Sequence, residues 1–413
     1  MPRYYLGLCA IAKDETPFLR EWVAYHHYIG FEKIYIYDND SHTPVRDSIV
    51  DFYDHHICDS YTISGQAMQL VAYNHCLQNH GDEFEWLAFF DLDEFLCLMQ
   101  DKDARTLLRD YEQFSALSIN WSVFSSSGKL GSPAGFVTEN YTQHIEYSVN
   151  SKCIVRPAMV KMPFTAHHFL YNHGCAVNAI NQPSLGAYTP LTINKVKLNH
   201  YPYKSQQDYE ARLLRGDATY KDFNPRSLDG FYSQAKKAVL EERSILPMAA
   251  EVRHMLEQGA IRQRQNIRFS EATELPLPKV LSILITCINA KKLDLAEVLF
   301  ALCYRRFAQV TEFLRMGISL SGQCEKFERM ESLIREFLSL GHEPEEEQEL
   351  FLALLECRLL GGNTHAAQET ANFLLSVVKC TNDAALEKKV QDLLNESRSL
   401  SRNGVPETNL EHT

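Results

Sequence analysis

The sequence predicts an α/β domain followed by an all-α helical-hairpin domain, and three observations carry that prediction. Strand-like and helix-like runs alternate from Tyr4 onward, the pattern of a sheet covered by helices. Aromatic and imidazole groups crowd the first part. Of the 20 tyrosines, 19 lie at or before Tyr232; all three tryptophans, at 22, 86 and 121, are early; and 12 of the 16 histidines lie at or before His200. Beyond Glu274-Leu-Pro-Leu-Pro278 the chain becomes rich in Leu, Glu and Ala at helical spacing. The expected division is an α/β domain over 1–270 with a helical extension from about 228, a helical domain over 279–396, and a flexible tail over 397–413. The two prolines at 276 and 278 are expected to break any helix and to mark the linker.

Tyr4 to Ala12 reads as a strand, Pro17 to Tyr28 as an amphipathic helix ending at Gly30, and Lys33 to Tyr37 as a second strand that stops at Asp38-Asn-Asp-Ser41. This is a βαβ opening. A helix from about Gln66 to His80 leads to the apolar strand Glu85 to Phe90, which ends in Asp91-Leu-Asp-Glu94. Such continuous apolar runs belong to parallel strands buried on both faces. In open α/β sheets ligands bind beyond the carboxyl ends of the strands, where Lys13 to Glu15, Asp38 to Ser41 and Asp91 to Glu94 fall. In the second half, Leu281, Leu284 and Ile288, then Leu295, Val298, Leu299 and Leu302, define a helix pair interrupted at Lys291-Lys292. The run Cys287 to Leu299 resembles Cys357 to Glu369 at an offset of 70 residues, Ala296 matching Ala366, as helical-hairpin repeats of about 35 residues would require. An irregular helical bundle is the alternative. Either arrangement serves as a docking or stabilising module for a protein partner.

Composition excludes several classes. Lysine plus arginine number 41 and aspartate plus glutamate 53, a net charge of −12, so nucleic acid is not an expected partner. The longest apolar stretch, Val280 to Ile288, is far short of the roughly 18 to 20 residues that span a bilayer. No transmembrane segment is expected. The start Met-Pro-Arg-Tyr-Tyr lacks the marks of a secretory signal, so the expected location is cytoplasmic, with peripheral attachment at the inner membrane face as a variant. The 11 cysteines include no Cys-x-x-Cys pair and are expected to be reduced core thiols.

Residues two apart on an extended chain project to one side, so Asp91 and Asp93 can turn both carboxylates to one point at the strand end. A hard cation, Mn²⁺ or Mg²⁺, could sit there with a diphosphate completing its shell. A strand-end position also implies that the pair faces solvent and that removing Asp93 costs little stability. A solvated turn is the plain alternative, set against five preceding apolar residues. A phosphatase of the Asp-x-Asp type would want Thr or Val where Phe95 stands. His200 ends the strand-like run from Thr192 and could add a nitrogen ligand, while Lys204 four residues on could offset phosphate charge. Trp121 to Gly128 joins an aromatic face to a polar turn, which suits a sugar ring or a core strand with its turn.

Taken in order, Lys13-Asp-Glu15, Phe18 to His26, Tyr35 to Ser41, Phe90 to Phe95, Trp121 with Ser126-Ser-Gly128, Lys152 to Pro157, and His200-Tyr with Lys204-Ser205 resemble the motifs of family 92 glycosyltransferases and their bacterial family-2-like relatives. The resemblance covers about residues 4–235. It implies a GT-A (nucleotide-diphospho-sugar transferase, Rossmann-like) fold for the first domain and a nucleotide-sugar donor. By that carry-over Ala12, Lys13, Glu15 and Asp38 contact the nucleotide, Asp91 and Asp93 meet ribose and metal, His200 is the late metal ligand and Lys204 a phosphate partner. Trp121, Ser126 and Gly128 are the expected acceptor contacts. An inverting transfer also needs a carboxylate base, for which Glu139, downstream of the Trp121 loop, is the choice, with an exposed strand-edge glutamate as the alternative. A uridine-diphosphate hexose is the donor this implies, with Asp38 accepting the uracil N3–H. The function expected is metal-dependent hexose transfer to a glycan or glycolipid acceptor in surface polysaccharide assembly. The rival is a glycosyltransferase-like domain without activity, serving with its helical repeats as a binding scaffold.

Overall fold

The computed structural model describes residues 2–402 apart from 222–223, 236, 238–239, 260, 262–266, 343 and 382. The chain separates into two units, Met1–Glu274 and Leu275–Thr413. The first opens with β1 (Tyr4–Ala12), α1 (Thr16–Tyr28), β2 (Lys33–Asp38), α2 (Val45–Ser48), α3 (Val50–Asp54), β3 (Cys58–Thr62), α4 (Gln69–His80) and β4 (Phe84–Phe89). There follow β5 (Glu94–Leu98), α5 (Ala104–Leu108), β6 (Ala116–Phe124), α6 (Val137–Asn140) and β7 (Gln143–Val155). The short strands β8 (Val160–Pro163), β9 (Phe169–Tyr171) and β10 (Ala176–Val177) precede β11 (Val196–His200), α7 (Gln206–Arg215), α8 (Leu228–Ala235), β12 (Leu240–Glu241), α9 (Leu246–Glu257) and α10 (Phe269–Glu274).

The main sheet has the order β3-β2-β1-β4-β7-β6-β11-β5. The first four strands are parallel, β7 runs antiparallel to both β4 and β6, and β11 runs parallel to β6 and antiparallel to β5. Every residue of β2 is buried, and so are Tyr5 to Ala10 of β1, which accounts for the apolar runs Ile34 to Tyr37 and Tyr5 to Ala10. Helix α1 is clamped to the far edge of the sheet: the Trp22 indole donates to the Glu94 carbonyl at 2.8 Å and the Tyr25 hydroxyl to that of Leu96 at 2.9 Å. The turn after it needs glycine. Gly30 has φ +116°, and a Cβ there would lie 2.5 Å from Asp103 Oδ1. Because β2 and β4 leave β1 on opposite sides, the parallel half has its topological switch between β1 and β4, with a crevice beyond their carboxyl ends. The first unit is thus the expected α/β domain of GT-A type.

The second unit is helical throughout its described length: α11 (Leu277–Asn289), α12 (Leu293–Phe307), α13 (Thr311–Gln323), α14 (Phe327–Leu338), α15 (Pro344–Leu360), α16 (Thr364–Thr381) and α17 (Ala384–Arg402). The division between the units falls inside the expected linker, between Glu274 and Leu275, but its prolines do not act as helix breakers. Pro276 is the residue before α11 and Pro278 sits in its first turn, where a missing N–H costs nothing, so these prolines start a helix. Residues 397–402, expected in the tail, continue α17, and 403–413 lie outside the described residues.

The hairpin turns repeat. Ala290 donates to Thr286, Lys291 has φ +56° and Lys292 donates to Cys287; 34 residues later Cys324 donates to Leu320, Glu325 has φ +56° and Lys326 donates to Ser321. A third copy follows after 37 residues, with Gly362 at φ +74° and Asn363 donating to Arg358. The longer step has two sources: α14 and α15 together are one residue longer than α12 and α13, and the connection between them is two residues longer. Ala296 therefore corresponds to Ala367, both buried, which corrects the offset of 70 by one residue. The thiol expectation also needs adjusting, because Cys175 is exposed.

Candidate functional site

A cavity of about 900 Å³ opens at the carboxyl ends of β1 and β4. Of the residues singled out in the sequence, Ala12, Lys13, Glu15, Asp91, Asp93, Trp121 and His200 line it. Three strand ends bring them there. The Asp91–Asp93 turn connects β4 to β5, and β5 pairs with β11 so that Glu94 lies opposite His200. The Tyr201 amide donates to the Asp93 carbonyl at 2.8 Å and locks the late strand end onto the turn.

Of the two aspartates Asp93 is buried, whereas the Asp91 side chain keeps 31 % exposure. Asp93 is 3 % exposed, Arg212 Nη1 approaches its Oδ2 at 2.6 Å, and His200 Nε2 lies 3.6 Å from its Oδ1. Burial works to raise the Asp93 pKa, but Arg212 and then His200 overcome it and hold the carboxyl well below the usual range. Asp91 receives Gln69 Nε2 at 2.6 Å and Lys152 Nζ at 3.0 Å, both at Oδ1. Here too burial opposes ionisation and Lys152 outweighs it, so the pKa falls. Lys152 is fully buried, and Glu94 Oε2 lies 3.8 Å on its other side while accepting the Asp91 amide at 2.9 Å. Glu94, buried and beside two ionised aspartates, has its pKa raised well above the carboxylate norm despite Lys152. Glu15 is held by Arg215 and lies 3.6 Å from Lys204 Nζ; burial is again outweighed, by Lys204 and Arg215, and its pKa falls.

Trp121 lies between two imidazoles, with ring centroids 5.1 Å from His167 and 4.3 Å from His200. His167 Nδ1 bonds the Ser151 carbonyl at 2.9 Å, so it carries the proton and Nε2 keeps its lone pair. Burial, helped by Lys152, lowers the His167 pKa to about 4, which keeps the ring neutral near pH 7.

As for a cation, Asp93 Oδ1 is buried without a hydrogen-bond donor and faces the His200 ring nitrogen. An oxygen and an imidazole nitrogen so placed fit two positions of a Mn²⁺ or Mg²⁺ shell. Among the described residues no group of three His, Cys, Asp or Glu side chains is arranged to hold a metal ion. A cation here would therefore draw its remaining ligands from substrate oxygens and water, as Mg²⁺ commonly does.

Five residues expected in the site do not line the cavity. Both Asp38 oxygens are taken by backbone amides, of Ser41 and Val45 at 3.0 Å each, so it braces the turn after β2 and Asn39 forms the wall instead. Glu139, the expected base, lies on α6 and is ion-paired with Arg253 of α9. Ser126 and Gly128 belong to the turn beyond β6, where Ser126 O accepts from the Lys129 amide. Lys204 Nζ sits 4.2 Å from the centre of the Phe18 ring and faces a separate cavity of about 110 Å³. The residues without an assigned role that do enter the site are Gln69, His167, Arg212, Arg215 and, behind Asp91, Lys152. One of these carried a signal in the sequence: Lys152 opens one of the family-like motifs.

A family model described as glycosyltransferase family 92 matches residues 5–229. Curated relatives that carry this family name include a Ricinus communis protein, 28 % identical over 236 residues covering 53 % of this chain and 38 % of the relative. An Arabidopsis thaliana protein is 25 % identical, also over 236 residues, with the same coverages. The match thus spans well under half the length of these relatives. Among solved structures, S. aureus TarS 1–349 aligns over 89 % of this chain and 88 % of its own at 12 % identity and a TM-score of 0.28. The same S. aureus fragment in complex with UDP aligns over 81 % and 88 % at 10 % identity and a TM-score of 0.30.

Proposed function

This chain belongs to glycosyltransferase family 92, and we propose from that premise that its first unit transfers a hexose from a nucleotide-diphosphate sugar to a glycan or glycolipid acceptor in surface polysaccharide assembly. The observation that carries the reading is the convergence of the β1, β4 and β11 ends on one cavity lined by Glu15, Asp91, Asp93 and His200. That crevice is where an open α/β sheet binds a nucleotide, and its volume is that of a small-molecule site. Uridine as the base rests on the family resemblance, since Asp38 does not line the cavity.

In the reaction the acceptor oxygen bonds to the anomeric carbon as the bond from that carbon to the diphosphate oxygen breaks. The electron pair leaves with the nucleoside diphosphate. The acceptor proton passes to a carboxylate in an inverting course or to the departing phosphate in a retaining one. Asp93 and His200 would hold Mn²⁺ or Mg²⁺, which when bound supplies positive charge to the leaving group. Cationic side chains of this chain supply the rest, in a site where burial strengthens each charge–charge term. Trp121 offers an aromatic face to a sugar ring. The helical unit is proposed to dock a protein partner. No helix among the described residues is long and apolar enough to cross a membrane.

A panel of nucleotide sugars, scored by nucleoside diphosphate release with and without Mn²⁺, tests this reading. Release from a uridine-diphosphate hexose that rises with Mn²⁺ is expected. No release from any donor, together with no nucleotide binding, would leave the scaffold reading.

A further inference from the structure

Two of the cations at the cavity come from a helix to which the sequence assigned no chemistry. Arg212 and Arg215 lie one turn apart on α7 and both line the cavity. A buried guanidinium is costly unless paired, and each has its own strand-end carboxylate, Asp93 from β4 for Arg212 and Glu15 from β1 for Arg215. Neither pair uses the whole fork. The Arg212 bonds to Asp93 at 2.6 Å and to the Pro202 carbonyl at 3.1 Å are both made by Nη1, whereas a guanidinium carries five N–H groups. Arg215 directs Nη1 to the Lys13 carbonyl at 3.0 Å and Nη2 to Glu15. The side chains remain 15 % and 20 % exposed, and both residues line this cavity and the smaller one beside Lys204.

The helix that carries them is anchored at both ends. A capping box between Ser205 and Asp208 fixes its start. After Gly216, with φ +88°, the chain turns across the cavity, where the Ala218 carbonyl accepts from the Gln69 amide and the Thr219 hydroxyl donates to Gln69 Oε1. Gln69 in turn donates to Asp91. Two forked donors are thus preset on a rigid element beside the Asp91–Asp93 turn. Lys204, the lysine expected to serve phosphate, is turned away against Phe18.

We propose that Arg212 and Arg215 are the diphosphate-binding pair of this site, with Asp93 and Glu15 as the carboxylates that position them. The ligand class is a nucleoside diphosphate, in which each guanidinium takes one phosphate in the two-bond manner that arginine favours and lysine cannot reproduce. This rests on the glycosyltransferase reading.

The test is titration calorimetry on the full chain with three probes, uridine diphosphate, uridine monophosphate and inorganic pyrophosphate, each in EDTA and in Mn²⁺. The variants are Arg212→Lys, Arg215→Lys and both together, which keep each carboxylate paired with a charge, and thermal melts confirm that they fold. Each single variant is expected to weaken uridine diphosphate and pyrophosphate about tenfold, the loss of roughly one charged hydrogen bond, and uridine monophosphate less than half as much on a logarithmic scale. The double variant should lose the preference for diphosphate over monophosphate. Folded variants that bind uridine diphosphate within about twofold of the parent, or that lose all three probes equally, overturn the pair. A parent chain that binds neither uridine diphosphate nor pyrophosphate in either buffer overturns the glycosyltransferase reading itself.

Discussion

Removing the Asp93 carboxylate would leave Arg212 buried beside an empty space, and that sets what its mutation costs. Taken as a solvated strand-end group, Asp93 could be truncated almost freely; with Arg212 at 2.6 Å and 3 % exposure it cannot. Breaking a buried pair from one side costs about 3 to 5 kcal/mol, because the partner keeps its desolvation penalty without its attraction. Asp93→Ala should therefore lower unfolding free energy by about 3 kcal/mol in urea titrations, and adding Arg212→Met should restore part of that loss. A cost below about 1 kcal/mol would show that the pair is solvated in solution. The same lesson applies to Asp38. Its place at a strand end was legible, but that its oxygens cap a backbone turn depends on where Ser41 and Val45 fold back.

Hairpin repeats in the second unit show how far local pattern reaches and where it slips. Leucine spacing located both helices of the first pair, and the similarity between Cys287–Leu299 and Cys357–Glu369 pointed to a repeat. The register between copies was one residue off because the steps are 34 and 37 residues, and most of the difference lies in the connection between α14 and α15, which carries no apolar period to mark it. Packing between neighbouring helices is close enough to test. Gly317 of α13 faces Phe300 of α12, and a Cβ there would lie 2.2 Å from the ring, which itself stacks on Phe313 at 4.4 Å. Alanine is the better helix former by about 1 kcal/mol, yet overpacking costs about 1 to 3 kcal/mol. Gly317→Ala should thus destabilise the chain in thermal melts, and Phe300→Leu in the same background should reverse the effect. A stabilising Gly317→Ala would mean that Phe300 has room to move.

At the scale of the whole molecule, burial of neutral histidine makes stability depend on pH. Burial lowers the His26 pKa to about 3 and those of His27 and His167 to about 4, whereas the unfolded chain titrates near 6.5. Below pH 6.5 the unfolded state takes up protons that these three rings refuse, so their contribution is complete above 6.5 and is lost as pH falls toward 4. Denaturant titrations should show unfolding free energy falling with decreasing pH over that window, at up to about 4 kcal/mol per pH unit for three protons. A flat profile between pH 6.5 and 5 would contradict the buried placement of these rings. The sequence by itself determined the alternation of elements in the first unit, the helical second unit, and the strand ends at which Glu15, Asp91, Asp93 and His200 stand. Those follow from local periodicity and from apolar runs that stop at polar residues. Only the tertiary structure decided the partners: Arg212 meets Asp93 across 119 residues and Arg215 meets Glu15 across 200. Such pairs form because the mixed sheet brings β11 beside the β4–β5 turn and returns α7 over both, and charges that attract through space leave no periodic mark along the chain.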